Sequence, residues 1–326
     1  MKAVRIYEFG GPEVLKLEEV PKPLPAPSEV LLKHEIIGVN FAESLLRRGL
    51  YARGGHHDFP IIPGAEAAGV VEAVGGGVKS VEAGQHAVAF FRKPSAYAEY
   101  SALPAELALP IPADIPWEIA GSFSVQGLTA HFLVNFVHST RPGETVLIHA
   151  VAGGVGLLAT QMAKEAGARV IGTCSTEDKA ELARSLGADE VIIYMQKDFA
   201  QEVMRLTDGC GVDLILDSVG GDTFEKGLDV LAPFGQLILF GSSSGTVEMA
   251  SPQLLMRDSR TISGFALSTV RKQPLLAREA AYEVLSQWQQ GKLKFTIQGV
   301  FPLEKVQEVH RLLDGRQTRG KLLMKP

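Results

Sequence analysis

Between residues 145 and 240, short runs of branched apolar residues alternate with longer stretches whose apolar positions recur every three or four residues. The runs 146–149, 170–173 and 191–193 read as strands, and the stretches 156–166 and 179–186 between them as amphipathic helices. Two further strands, 214–216 and 237–240, extend the alternation, and each is apolar enough to be covered on both faces. Such a strand and helix succession specifies a doubly wound α/β domain with a parallel sheet. Residues 1–110 have a different texture. The segments 3–7, 30–39, 67–74 and 86–89 are apolar or alternating and are separated by Gly and Pro clusters, which predicts a compact β-rich unit. The Pro-rich stretch 21–27 falls between two early strands and reads as a surface loop. Beyond residue 264, a helix over 274–290, a strand at 300–302 and a last helix before Gly320 repeat none of the earlier units, and they are expected to return to the first domain. No period of 20–50 residues marks a solenoid or propeller.

The chain's 326 residues exceed what one hydrophobic core usually organises, so two domains are expected, with room for a cleft between them. A hydrophobic fraction of 46% and a charged fraction of 21%, without low-complexity tracts, exclude a disordered chain. Lys and Arg number 32 against 37 Asp and Glu, and no basic run stands out, so a nucleic-acid partner is not expected. No stretch approaches the apolar length of a membrane span, and the reading is a soluble, cytoplasmic protein. Cys174 and Cys210 are too few for a disulfide framework or a four-thiolate zinc site and read as reduced thiols.

The strongest local signal is Val146-Leu-Ile-His-Ala-Val-Ala-Gly-Gly-Val-Gly156, an apolar strand running into a glycine turn that opens a helix. Gly153 suits the dihedrals of a tight turn, Gly154 and Val155 offer backbone N–H groups to a pyrophosphate at the helix N-terminus, and Gly156 permits close helix packing. With Ala150 at its head the pattern is A-x-x-G-x-x-G, which alone could be an ordinary turn; the alternating elements that follow favour a dinucleotide site. NAD-binding members of this fold place an acid at the end of the second strand to grip the ribose hydroxyls. This chain has Gly172-Thr173-Cys174-Ser175 there. Ser175 and Lys179 could instead hold a 2′-phosphate, which favours NADPH, although a lysine on a helix's outer face can also be merely solvated.

The motifs Gly38-Val-Asn-Phe41, Gly49-Leu-Tyr51, Pro63-Gly-Ala-Glu-Ala-Ala-Gly69, Gly127-Leu-Thr-Ala130, Ala150 to Gly156, Asp217-Ser-Val-Gly-Gly221 and Phe240-Gly-Ser-Ser-Ser-Gly245 together resemble the zinc-free quinone oxidoreductases, the zeta-crystallin-like family of the medium-chain dehydrogenase/reductase superfamily. The resemblance spans the whole chain. It implies a GroES-like catalytic domain from residues 1–121 and 266–326, a Rossmann NADPH-binding domain over 122–265, and a homodimer. In zinc-dependent relatives a cysteine takes the position of Asn40 and a histidine that of Ala65; without them a tetrahedral catalytic zinc lacks its usual ligands, and no metal is expected.

The resemblance further implies that Asn40 and Tyr51 are the catalytic candidates, the first donating to a substrate carbonyl and the second offering a phenol to a planar acceptor. A strand-end cap and a packed loop aromatic are the alternative readings of these two residues. Leu45 stands where many members carry a tyrosine. The implied cofactor contacts are Gln126, Thr129, Phe240, Gly241, Ser242 and Phe265 around the nicotinamide and its ribose, Ala152 to Gly156 and Ser218 along the turns, and Tyr194 and Arg316 beside Ser175 and Lys179. His56 and His57 form no metal pattern, their Gly-rich loop reads as a lid, and the serines near glycine form no nucleophile elbow. The expected activity is NADPH-dependent quinone reduction. Reduction of activated C=C bonds in enones, alkenals or enoyl thioesters, or a non-catalytic NADPH-binding crystallin-like role, are the alternatives.

Overall fold

The structure, a computed structural model, describes residues 1–50, 58–91, 93–245, 247 and 253–326. The chain forms two compact units, one of residues 1–126, 267–282 and 295–326, the other of residues 127–266 and 283–294.

The first unit contains β1 (Lys2–Arg5), β2 (Lys16–Glu19), β3 (Glu29–Val39), β4 (Glu66–Val74), β5 (His86–Phe90), β6 (Tyr100–Pro104) and β7 (Ala108–Pro110), and, after the chain has passed through the second unit, β14 (Ile297–Pro302) and β15 (Lys321–Lys325). A seven-stranded sheet runs β14-β15-β3-β4-β5-β7, with β6 also pairing β3. The long β3 organises it, being antiparallel to β4, β6 and β15. Its near-continuous apolar run buries Val30, Leu31, Leu32, Ile36, Ile37 and Val39, as a strand covered on both faces requires. The ladder to β4 slips between His34 and Ile36, and Gly69 lies opposite, where an added Cβ would sit 1.8 Å from the Lys33 carbonyl oxygen. Only glycine fits against that bulge.

The second unit is a six-stranded parallel sheet in the order β10 (Glu190–Ile193), β9 (Arg169–Cys174), β8 (Thr145–Ile148), β11 (Val212–Asp217), β12 (Leu231–Leu239), β13 (Thr261–Gly264). Its core joins Leu147, Ile171 and Ile215 from the strands to Phe199, Val203 and Phe224 from the helices. Strand order reverses between β8 and β11, and in a doubly wound sheet ligands bind at the carboxyl ends of the strands at that reversal. The helix after β8 spans Gly154–Glu165, beginning two residues before the glycine at which the sequence pattern predicts its start. The sequence pattern does not anticipate β13 or the turns of π-helix at Phe123–Gly127 and Phe132–Val137.

Cys174 is buried and Cys210 exposed, both as free thiols. Among the described residues, no helix is long and apolar enough to cross a membrane, and no group of three or more His, Cys, Asp or Glu could hold a metal ion.

Candidate functional site

In the sheet of the second unit, β8 ends at Ile148 and the turn 149–153 leads into the helix Gly154–Glu165. The left-handed residue of this turn is Ala150, with φ 51°, whereas Gly153 has φ −76°. The sequence reading of Gly153 as the dihedral specialist is therefore corrected: the sharp bend falls at Ala150, and the Gly153 N–H closes it by donating to the Ala150 carbonyl at 2.9 Å. Gly156 is sterically required. A Cβ there would lie 2.6 Å from the Val151 carbonyl oxygen and 2.7 Å from that of Ala150. The turn thus folds onto the first helical turn, and the N–H groups of residues 154–156 have no acceptor within their own helix. They form a cradle of positive potential suited to an anion.

At the carboxyl end of the neighbouring β9, the half-buried Lys179 places its Nζ 3.4 Å from the Ser175 Oγ. Ser175 and Lys179, singled out from sequence, are thus brought together. Tyr194 follows β10 and is 40% exposed, its N–H donating to the Cys174 carbonyl at 3.1 Å. Beyond β11 and β12, two turns lean on each other. The Ser243 N–H donates to the Ser218 carbonyl at 3.2 Å, and a Cβ on Gly241 would come within 2.7 Å of the same oxygen, so the turn of Ser218 packs closely on that of Phe240, Gly241 and Ser242 at the strand ends. Phe265 donates its N–H to the Leu239 carbonyl at 3.0 Å and stacks on Phe132, with centroids 6.0 Å apart. Thr129 is buried in the short helix Leu128–His131. Gln126 and Arg316 belong to the first unit, Gln126 in the π-helical turn and Arg316 in an exposed bend at φ 54°.

The first unit holds a buried polar cluster at the end of β3. Asn40 closes that strand and is 5% exposed, just before the helix Phe41–Arg47. The Asn40 N–H donates to Glu43 Oε2 at 2.5 Å, and the Ala65 N–H donates to Glu43 Oε1 at 3.1 Å. The Asn40 Nδ2 donates to Glu66 Oε1 at 2.9 Å, while Lys321 Nζ donates to Asn40 Oδ1 at 3.0 Å and also to Glu66 Oε1. The other Glu66 oxygen accepts from Ser124 Oγ and from the Val125 N–H, each at 2.8 Å. Glycine at 38 makes this possible: a Cβ there would lie 2.4 Å from Glu66 Oε1. Burial pushes the Glu43 carboxyl up to about 7; the Lys321 ammonium opposes the rise and Glu66 adds to it.

A second chain of buried groups lies beside the first. Arg47, fully buried, donates to the Gly10 carbonyl, to Asp314 and, through Nε, to His310 Nδ1 at 3.3 Å. His310 Nδ1 is thereby an acceptor, so Nε2 carries the proton and donates to the Tyr97 hydroxyl at 3.2 Å. Burial, helped by Arg47, lowers His310 to about 3. Sequence reasoning assigned no role to Glu43, Glu66 or Lys321. The available signal was Glu66 inside the Pro63–Gly69 motif, a carboxylate in a run of small residues immediately before the strand expected at 67–74. Tyr51, His56, His57 and the lid reading of their loop lie outside the described residues.

Two family models match the chain, an alcohol dehydrogenase GroES-like domain over residues 26–113 and a zinc-binding dehydrogenase over 154–283. Quinone oxidoreductase of Pseudomonas aeruginosa is 37% identical over 327 residues, covering 100% of this chain and 99% of the relative. The 2-haloacrylate reductase of a Burkholderia species is 36% identical, covering 99% of this chain and 98% of the relative. Among solved structures, Escherichia coli quinone oxidoreductase complexed with NADPH superposes with a TM-score of 0.95 at 35% identity over the full length of both chains.

Proposed function

The chain belongs to the quinone oxidoreductase family of the medium-chain dehydrogenase/reductase superfamily, and from that premise we propose that it is an NADPH:quinone oxidoreductase acting without a metal. One observation carries the cofactor assignment: a lysine and a serine in contact at the end of β9, where an NAD-specific site would carry an acid. In this reading, the donors of Gly154, Val155 and Gly156 hold the pyrophosphate, with Ala152 and Gly153 shaping the turn. Lys179 and Ser175 hold the 2′-phosphate, helped by Tyr194 and Arg316. Ser218, Phe240, Gly241, Ser242, Gln126, Thr129 and Phe265 line the ribose and nicotinamide positions. When bound, NADPH supplies a hydride from its nicotinamide C4.

Asn40 donates a hydrogen bond to the acceptor oxygen on which negative charge grows, a preorganised contact that needs no solvent rearrangement. One proton from solvent, or from a hydroxyl such as that of Tyr51, completes the hydroquinone. Quinones accept hydride readily, so a strong general acid is not required. We assign residues 1–121 and 266–326 to the catalytic domain and 122–265 to the NADPH-binding domain, bounds that differ from the two compact units at residues 122–126, 266 and 283–294. We further propose a cytoplasmic homodimer. The terminal position of β13 in the six-stranded sheet supports the dimer, since an edge strand can be continued by a second copy.

A second reading, reduction of a polarised C=C bond at the same residues, is favoured by the likeness to 2-haloacrylate reductase. The purified protein is mixed with NADPH and, separately, 1,4-benzoquinone, 9,10-phenanthrenequinone and an enone, and loss of NADPH absorbance is followed. Turnover with the quinones supports the first reading and turnover with the enone alone the second. Binding of NADPH without turnover on any acceptor overturns both and leaves a binding protein.

A further inference from the structure

Both ends of the Asn40 amide meet a buried charge. Nδ2 faces the Glu66 carboxylate and Oδ1 faces the Lys321 ammonium, and the two ions are 0% and 1% exposed. Turning the amide over would set oxygen against carboxylate and NH₂ against ammonium, both repulsive at hydrogen-bond range in a poorly solvated setting. The pair of charges therefore fixes one orientation. An amide nitrogen has two N–H bonds. One goes to Glu66, and the other is 3.5 Å from Glu43 Oε1, at the outer limit of a hydrogen bond. The amide is thus held with its oxygen turned to a cation and one N–H still able to donate.

We infer that Lys321 is a positioning residue for the reaction: by capturing the Asn40 oxygen it obliges Asn40 to act toward the acceptor as a donor. The inference rests on the reading of Asn40 as the residue that meets the acceptor carbonyl. Lys321 itself need not touch the substrate. Its ammonium works through the amide, and the salt bridge to Glu66 holds it in place. The site is thereby matched to acceptors that present an oxygen lone pair. Without Lys321 the amide is steadied at one end only, and a small misplacement of a group at the reacting atoms can cost about 100-fold in rate.

A double-mutant cycle tests this. Lys321→Met is compared in the parent and in an Asn40→Ala background, with Lys321→Arg as the charge-retaining variant. NADPH affinity is read by fluorescence and kcat and KM with a quinone by absorbance. The expected result is a kcat loss of roughly 10- to 100-fold for K321M with NADPH affinity unchanged, partial recovery in K321R, and less than about a 2-fold effect of K321M once Asn40 is gone. If K321M lowers kcat by the same factor in both backgrounds, or not at all in the parent, the positioning role fails while the role of Asn40 stands. If N40A alone leaves kcat unchanged, the assignment of Asn40 fails and takes the positioning role with it. Should K321M not fold, E66Q/K321M removes both charges together, a change that buried pairs often tolerate. The same loss of kcat, again absent with Ala at 40, is expected from it, and parental kcat overturns the inference.

Discussion

In the nucleotide-turn unit, the polar groups that matter stand at strand ends, with Ser175 and Lys179 half-buried and the first N–H groups of the helix Gly154–Glu165 lacking acceptors in that helix. In the β-rich unit, Asn40, Glu43, Glu66 and Lys321 are each at most 5% exposed and bond to one another and to Ala65, Ser124 and Val125. The first arrangement is suited to an anion. The second has already chosen its partners, and what it fixes is the orientation of one amide. A fold can thus make a recognition site from backbone donors without intrahelical acceptors, or make a reactive one by pairing every donor tightly but one, held at 3.5 Å.

The contrast is broken most severely at Glu66. Glu66→Ala leaves the Lys321 ammonium buried without its counter-ion, with an expected loss of ~3–5 kcal/mol in urea unfolding; a parental midpoint would mean that the buried pair does not support the fold. Acidity should come next. His310 is lowered to about 3 and His34 to about 4, chiefly by burial, so the unfolded chain takes up protons that the native chain refuses, and stability falls as pH drops from 6.5 toward those values. Glu43 acts in the opposite sense. Its native value of about 7 exceeds the ordinary 4.5, so the unfolded chain releases a proton that the native chain retains, and stability is lost as pH rises from 4.5 through 7. Glu43→Gln should therefore steepen the gain in stability between pH 4.5 and 7, by up to a few kcal/mol, in melts across that range.

In the other unit the expected effects are smaller. Gly156→Ala drives a methyl into two carbonyl oxygens and should cost ~1–3 kcal/mol together with weaker NADPH binding, while Gly153→Ala, which presses on the Ala150 carbonyl oxygen at 3.2 Å, should cost less. Equal losses in the two variants would show that the turn depends on glycine for some reason other than space. Lys179→Ala is expected to have the mildest effect, raising the NADPH KM roughly 10-fold and sparing that for NADH. Equal rises for both coenzymes would move the 2′-phosphate elsewhere.

The two regions also differed in legibility. The nucleotide turn was readable because its parts are contiguous: an apolar strand, the glycines and the helix start fall within Val146–Gly156, and Ser175 and Lys179 are one helical turn apart. What pattern reading missed there was local strain, since no rule of composition puts the left-handed residue at Ala150 instead of a glycine. The polar cluster was hidden by distance. Glu66 and Lys321 are 255 positions apart, and each alone looks like an ordinary charged residue at the edge of a strand. β15 was missed for a related reason: Lys-Leu-Leu-Met-Lys is short, ends in charges at both sides, and becomes a strand only because β3 and β14 flank it. The π-helical turns have no compositional signature that could reveal them.

That flanked position has a further consequence. The ribosome delivers β15 after all the strands of the second sheet, yet it must lie between two strands already made, so the β-rich unit can close only after every strand of the parallel sheet has emerged. The parallel sheet, complete by residue 264, can form while the chain is still growing. The same late strand carries Lys321, so the ammonium that orients the amide can be set in place only after the parallel sheet has been delivered.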